Sequence, residues 1–353
     1  MTDIQLIEKL SNARGVSGFE DEVVAVAREY CADFATFKED SMRNLYIYPK
    51  YNKGNRPLVL LDAHSDEVGF MVQAIKPDGT LRFIPVGSWN EKSLPSSKVQ
   101  VYTSNGYISG VIAAMSPHLM TAEQRNAPVS FSTLSIDVGA SSEAEAREMG
   151  VEVGAPVVPL SPFEYDEKHG IMHGKAFDDR LGVAALLKCL KRLQNEQLSV
   201  DIVGVISSQE EVGERGITAA MYNIKPDAAI CFEGAPADDT SAPPYMIQDG
   251  LHRGVMLRHM DSTIICTPRF ISFAQNTAKE KGIKVQMAVR AGGGNNGAYI
   301  ISSNGATPVI VASVPVRYIH TFNCIAALED VESCVKLGVE LCKGLNKEII
   351  ERF

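Results

Sequence analysis

Two adjacent carboxylates, Glu210 and Glu211, follow the apolar run Asp201-Ile-Val-Gly-Val-Ile206 and precede Val212-Gly213. The run is rich in β-branched residues and reads as a buried strand, and open α/β sheets gather ligands at the carboxyl ends of such strands. Side chains of neighbouring residues diverge, so one glutamate can face a metal ion while the other faces a substrate. Similar residues end other apolar runs. His64 and Asp66 follow residues 58–61, and their i, i+2 spacing places both on one side of an extended chain. Asp178 and Asp179 lie in a turn before a helix, Glu233 ends the run 227–232, and His320 follows Arg317-Tyr318.

Imidazole and carboxylate without thiolate suit zinc, cobalt or manganese. Two ions about 3.5–4 Å apart need a bridging carboxylate, roughly two further protein ligands each, and a bridging water. One aspartate, two histidines and two further carboxylates meet that count, and a remaining glutamate is left to act as general base. Taken singly, each residue is a solvated charge or a histidine satisfied in a core. The recurrence of ligand types at successive strand ends is what implies a dinuclear metal site.

The elements that must position these residues alternate between helix and strand. Helical spacing covers residues 2–10 and 20–34, with Val23, Val24, Ala27 and Tyr30 on one face. Strands are expected at 43–48, 58–61, 201–206, 227–232, 255–257, 285–289 and 307–312, and helices at 183–194, 217–222, 268–281 and 328–345. From 68 to 162 short alternating segments (68–74, 81–85, 98–103, 107–113 and 129–136) are split by Gly, Pro, Asn and Ser, with helical spacing only at 142–149. This describes a small all-β unit inserted into an α/β domain formed by residues 1–67 and 163–353. Within the insert, Trp89 and His118 have no chemical neighbours in the sequence and are assigned structural roles.

Length alone, at 353 residues, exceeds one typical domain. A hydrophobic content of 45% with 22% charged residues is that of an ordinary globular chain. The net charge of −9, with no basic stretch, argues against nucleic acid as a partner. No apolar run approaches the roughly 20 residues that span a bilayer, and residues 1–7 hold no signal-peptide core. The seven cysteines are scattered and odd in number, with no CxxC pair. Buried free thiols in a reducing cytoplasm are therefore expected.

Four motifs carry a resemblance: Ala63-His64-Ser65-Asp66-Glu67, Lys175-Ala-Phe-Asp178-Asp179-Arg180-Leu-Gly182, Gln209-Glu210-Glu211-Val-Gly213 and Arg317-Tyr318-Ile-His320-Thr321. Together they resemble the dinuclear metalloaminopeptidases of the glutamyl-aminopeptidase and tetrahedral-aminopeptidase family. The likeness runs over nearly the whole chain, including Gly87-Ser-Trp89 and Pro117-His118-Leu119, and is nearest the FrvX-type branch, some of whose members are labelled endoglucanases. It implies a three-layer α/β/α metallopeptidase domain on a mixed sheet, with an inserted PDZ-like β-barrel that pairs subunits.

Carried over residue by residue, the resemblance implies that Asp178 bridges two divalent ions, zinc or cobalt with manganese as an alternative. His64 and Glu233 would hold one ion, and Glu211 and His320 the other. Glu210 would be the general base, Asp66 would orient His64, and Asp179 would shape the turn. The implied activity is removal of the N-terminal residue from short peptides, in a cytoplasmic homo-oligomer built from dimers into a tetrahedral dodecamer. Two positions depart from the family pattern: Glu233, where many relatives carry Asp, and Asn296, where relatives often carry Asp in a Gly-Gly-Thr-Asp motif.

Other readings make different demands. A related two-metal carboxypeptidase or deacylase would cleave N-blocked compounds and leave aminoacyl nitroanilides intact. A glycosidase needs facing carboxyls about 5–9.5 Å apart without metal. A metal-free scaffold would retain no zinc, cobalt or manganese on purification.

Overall fold

The apolar runs assemble into one mixed sheet, described for all 353 residues in a computed structural model. Its order is Ala35–Glu39, Leu45–Pro49, Asp201–Ser207, Leu58–His64, Ala228–Pro236, Val309–Val316, Val255–Met260, Val285–Val289. The four central strands, from Asp201–Ser207 to Val309–Val316, are parallel, so their carboxyl ends share one edge. The register is specific: Ser207 lies opposite His64 and Cys231 opposite Asp62, which brings Glu233 level with His64.

Alternation along these strands separates two helical layers. Gly204 faces the helix Phe177–Leu193, where a Cβ would meet Leu190 Cδ1 at 2.9 Å and Leu186 Cδ2 at 3.2 Å, which explains a glycine in a central strand. Phe232, on the same face, lies against Gly338 of the helix Leu328–Gly344. Val311 points the other way, onto the short helix Gly297–Ser302. Helix Phe177–Leu193 is buried along nearly its whole length. Each fully buried Leu in it contributes about 1.5–3 kcal/mol.

The inserted segment closes into a six-stranded antiparallel barrel in the order Gly69–Ile75, Leu81–Val86, Ile136–Asp137, Gly106–Ile112, Lys98–Thr103, Pro156–Pro159. Closure leaves no open sheet edge, and Phe70, Phe83, Val99, Val101 and Val157 fill the interior. The all-β reading of this segment is borne out, with two local differences. The strand expected over 129–136 shrinks to Ile136–Asp137, because Ser130 and Ser132 fold the chain onto itself: the Ser130 carbonyl accepts from Thr133 N at 2.9 Å, and the Ser130 hydroxyl accepts from Ser132 N at 3.3 Å. The closing strand Pro156–Pro159 went unanticipated, since proline at both ends argues against a strand interior; here both prolines occupy strand termini.

Two further differences bear on the site. Glu233 does not end its strand, which runs on to Pro236 because the ladder with Val309–Val316 continues to the pair Pro236 and Val316. Asp178 and Asp179 do form a turn, but it is a kink between two helical stretches rather than the lead-in to a single helix, with non-helical dihedrals at both and a cis peptide bond between them. All seven cysteines are free and buried, as expected.

Candidate metal centre

At the carboxyl edge of the sheet, His64, Asp178, Glu210, Glu211, Glu233 and His320 converge from five separate stretches of chain. Asp178 stands between the two imidazoles: its Oδ1 is 3.1 Å from His64 Nε2, and its Oδ2 is 3.4 Å from His320 Nε2. Glu233 Oε1 is 3.4 Å from His64 Nε2, and Glu211 Oε2 is 3.5 Å from His320 Nε2. Glu210 is set back, its Oε2 3.9 Å from His64 Nε2. Donor atoms close enough to share an ion form three groups: His64 with Asp178 and Glu233, Asp178 with Glu211 and His320, and His64 with Glu210 and Glu211.

The surroundings fix the direction of each ring. His64 Nδ1 donates to the Asp66 carbonyl at 3.1 Å and lies 3.3 Å from Asp66 Oδ1, while His320 Nδ1 donates to the Ser88 carbonyl at 2.9 Å. Both Nε2 atoms therefore face carboxylate oxygens. At 3.1–3.5 Å such a pair needs a cation between its members, a proton or a metal ion.

Charge and burial say the same. Burial opposes the charged imidazole of His64, but bonds to Asp178 and Asp66 and the charges of Glu210 and Glu233 hold its pKa well above the ordinary value. For His320 burial is likewise outweighed, by Asp178 and Glu211, and the pKa rises to about 9. Burial, with crowding by other carboxylates, lifts Glu211 to about 8 and Glu233 to about 7, and lifts Glu210 well above its usual range. Burial would raise Asp178 too, yet the two imidazoles hold it below the normal carboxylate value. The buried atoms Glu211 Oε1 and Glu233 Oε2 have no hydrogen-bond partner. A cluster that retains protons and leaves carboxylate oxygens unpaired is one that divalent cations would satisfy, displacing the protons. The donor set, nitrogen and oxygen without sulfur, fits the metals named above.

Supporting residues hold the cluster in place. Asp66 accepts from the backbone N–H groups of Glu210 at 2.9 Å and Glu211 at 3.1 Å, and from Ser17 Oγ at 2.6 Å. It thus orients the Glu210–Glu211 turn as well as His64, a wider role than the sequence suggested. Glu20, missed in the sequence, accepts from Gln209 N at 3.2 Å. Asp179 Oδ2 accepts from His64 N at 3.1 Å and Oδ1 from Gly182 N at 2.9 Å. A Cβ on Gly182 would lie 2.1 Å from Asp179 Oδ1, so glycine is required there. Behind the His64 loop, Arg180 donates to the carbonyls of Ser65, Leu10 and Ala13 at 2.7–2.9 Å, and Lys175 bonds both oxygens of Glu67 at 2.5 and 2.7 Å. The motif Lys175–Gly182 therefore contains a candidate ligand, Asp178, and the cations that brace the adjacent loop.

Asn296 does not line the cleft. It is buried, and its Nδ2 donates to Asp62 Oδ2 and to Ser207 Oγ, each at 2.8 Å. An aspartate there would set a second carboxylate against Asp62, whose pKa burial already raises to about 6. Asn296→Asp is expected to cost about 1–3 kcal/mol, read as a lower urea midpoint at pH 8 and a smaller loss at pH 5, where one proton can be shared. An unchanged midpoint at pH 8 would contradict this account.

The cluster opens onto a cleft of about 400 Å³ with a single hydrophobic lining residue, Ile319. Its lining also includes Arg258, Arg290, Glu214 and Gly292-Gly-Gly294. Sequence reading missed the two arginines, because the strands and loops that bear them meet only once the sheet is assembled.

A mixed-sheet α/β/α domain with a histidine–carboxylate cluster at its carboxyl edge has the layout of a metal-dependent hydrolase. A family model described as M42 glutamyl aminopeptidase matches residues 44–337, and the chain belongs to this family of aminopeptidases, hydrolases that remove N-terminal residues. FrvX of Escherichia coli K12 is 32% identical, the alignment covering 99% of this chain and 98% of that protein. A TET aminopeptidase from the archaeon Thaumarchaeota archaeon SCGC AB-539-E09 superposes with a TM-score of 0.95 at 34% identity, covering 99% of both chains. The TET1 peptidase of Pyrococcus horikoshii, described as assembling into a tetrahedron or a large octahedral shell, gives a TM-score of 0.88 at 28% identity, covering 98% of this chain and all of that one.

Proposed function

We propose that the chain is a dinuclear metal-dependent aminopeptidase acting on short peptides. His64, Glu233 and Asp178 would hold one divalent ion, and Glu211, His320 and Asp178 the other, zinc or cobalt being favoured over manganese. The observation that carries this reading is Asp178, whose two oxygens each face a different imidazole, at 3.1 and 3.4 Å. When bound, the ions would supply Lewis acidity, polarising the scissile carbonyl and acidifying the attacking water.

Within that frame Glu210 is the general base. Its carboxyl is farther from the imidazole nitrogens than those of Asp178, Glu211 and Glu233. It is also more open to the cleft than Glu211, with side-chain exposures of 12% and 5%. Glu210 takes the proton of the water and returns it to the departing amine. Asp66 holds the Glu210 backbone and the His64 ring, so that base and ligand keep a fixed relation. Assay with Leu-, Glu- and Lys-p-nitroanilides against N-blocked analogues tests the reading. Cleavage of the blocked compounds alone would favour the deacylase or carboxypeptidase alternative.

The cleft wall supports an acidic N-terminal side chain. Arg258 Nη1 is held by Asp261 Oδ2 at 3.0 Å and Arg290 Nη1 by Asp238 Oδ2 at 2.7 Å, while both Nε atoms are buried without partners. Each guanidinium is thus held in place and lends positive charge to the cleft that it lines. Glu214 lines the same cleft, its pKa raised by burial and then by Asp261. A charge-assisted bond contributes about 1.5–3 kcal/mol. Arg258→Met is accordingly expected to lower kcat/KM for Glu-p-nitroanilide about 10- to 100-fold relative to Leu-p-nitroanilide. An unchanged ratio would remove Arg258 from substrate recognition.

By the same family likeness the protein is proposed to be a cytoplasmic homo-oligomer in which the barrel pairs subunits into a tetrahedral dodecamer. Light scattering that gave the mass of one chain would refute this.

A further inference from the structure

The two halves of the candidate metal centre are braced by different parts of the chain. His64 is oriented from within the α/β domain, by Asp66. His320 is oriented by the barrel insert, through the Ser88 carbonyl at 2.9 Å. The same insert segment also touches the other residue of that half. Gly87, at φ 77°, packs so closely that a Cβ there would meet Val68 Cγ1 at 2.6 Å and Glu211 Cβ at 3.4 Å.

What holds Gly87-Ser88 in place is Trp89. Its indole Nε1 donates to the Gly69 carbonyl at 3.0 Å, and its ring stacks on Phe70 with centroids 4.8 Å apart. The other face of this aromatic group comes from the His320 loop: Phe322, 5% exposed and packed into the barrel core, lies 5.3 Å from Trp89 and 6.4 Å from Phe70. That loop needs an anchor, because Tyr318 and His320 both adopt left-handed backbone conformations, at φ 63° and 55°. Non-glycine residues persist there only when the surroundings hold them. The sequence offered Trp89 no neighbours. The structure places it one residue from the carbonyl that aims His320.

We propose that Trp89 and Phe322 form a positioning pair through which the barrel sets the affinity of the Glu211–His320 half for its ion, while the His64–Glu233 half is independent of it. Neither residue touches substrate or metal. The effect passes through the Ser88 carbonyl and the backbone of the His320 loop. The inference rests on the two-ion reading above.

The test is metal stoichiometry and affinity of the purified full-length protein, titrated with zinc in a metal buffer, for wild type, Trp89→Phe, Trp89→Ala and Phe322→Ala. Loss of an outer partner typically weakens metal affinity about 10- to 100-fold. That loss is expected for one ion only in Trp89→Ala and Phe322→Ala, with the other ion bound as in wild type and with Trp89→Phe close to wild type. Trp89 is the sole tryptophan, so its emission in the wild-type protein should respond to binding of one ion of the pair and not the other. This second reading needs no variant to fold. Wild type binding two ions, with variants that bind both unchanged or lose both equally, would overturn the positioning pair alone, as would emission indifferent to either ion. Wild type that binds one ion or none would instead overturn the two-ion reading, and this inference with it.

Discussion

Glu210→Gln is expected to retain both metal ions and to lose about 100- to 10,000-fold of kcat, the usual contribution of a positioned general base. The amide keeps the shape of the side chain but cannot accept the proton of the attacking water. Metal content should survive because Glu210 is the carboxylate farthest from the imidazoles, at 3.9 Å. Its backbone N–H stays bonded to Asp66 whatever the side chain, so the turn that carries Glu211 is preserved. Glu211→Gln should behave in the opposite way. Its Oε2 lies 3.5 Å from His320 Nε2 and its Oε1 is buried without a partner, so an amide there would weaken metal binding first and turnover as a consequence. Metal analysis alongside kcat and KM for both variants separates the roles. If Glu210→Gln lost metal while Glu211→Gln kept it, the two assignments would be exchanged.

How much of this could be read beforehand depended on whether the information was local. Asp201–Ser207 announces itself through its β-branched run, and the Glu210–Glu211 pair follows within four residues, so strand and candidate site residues were legible together. The barrel was legible as a texture of short alternating segments. Its closure was not, because Pro156–Pro159 pairs with strands more than fifty residues earlier in the chain. Glu233 was found, but its strand was ended too soon, since only the partner Val309–Val316 determines how far that ladder runs. Arg258 and Arg290 carry no pattern in the sequence; sheet order alone brings them to one wall. Trp89 is the sharpest case. The motif containing it was visible, but the reason for it lies 233 positions later, in Phe322.

Asp178→Asn should remove both ions at once and abolish measurable turnover, with an affinity loss exceeding the roughly 10- to 100-fold cost of removing an outer partner. One carboxylate oxygen faces each imidazole. An amide offers a single oxygen, and its NH2 can neither ligate a cation nor tolerate one close by. The amide also withdraws the negative charge that pairs with both imidazoles, and Asp178, unlike Glu210, Glu211 and Glu233, has a pKa lowered by that pairing, so its charge stabilises the metal-free fold at neutral pH. The metal-free variant is therefore expected to unfold at a urea concentration equal to or below that of chelator-treated wild type, and well below the metal-loaded enzyme. His320→Ala provides the contrast, losing one ion and keeping the other. If Asp178→Asn still bound two ions, or lost only one as His320→Ala does, Asp178 would be an ordinary ligand of one site, and the bridge between the two halves would have to be sought in Glu211, the other carboxylate grouped with both histidines.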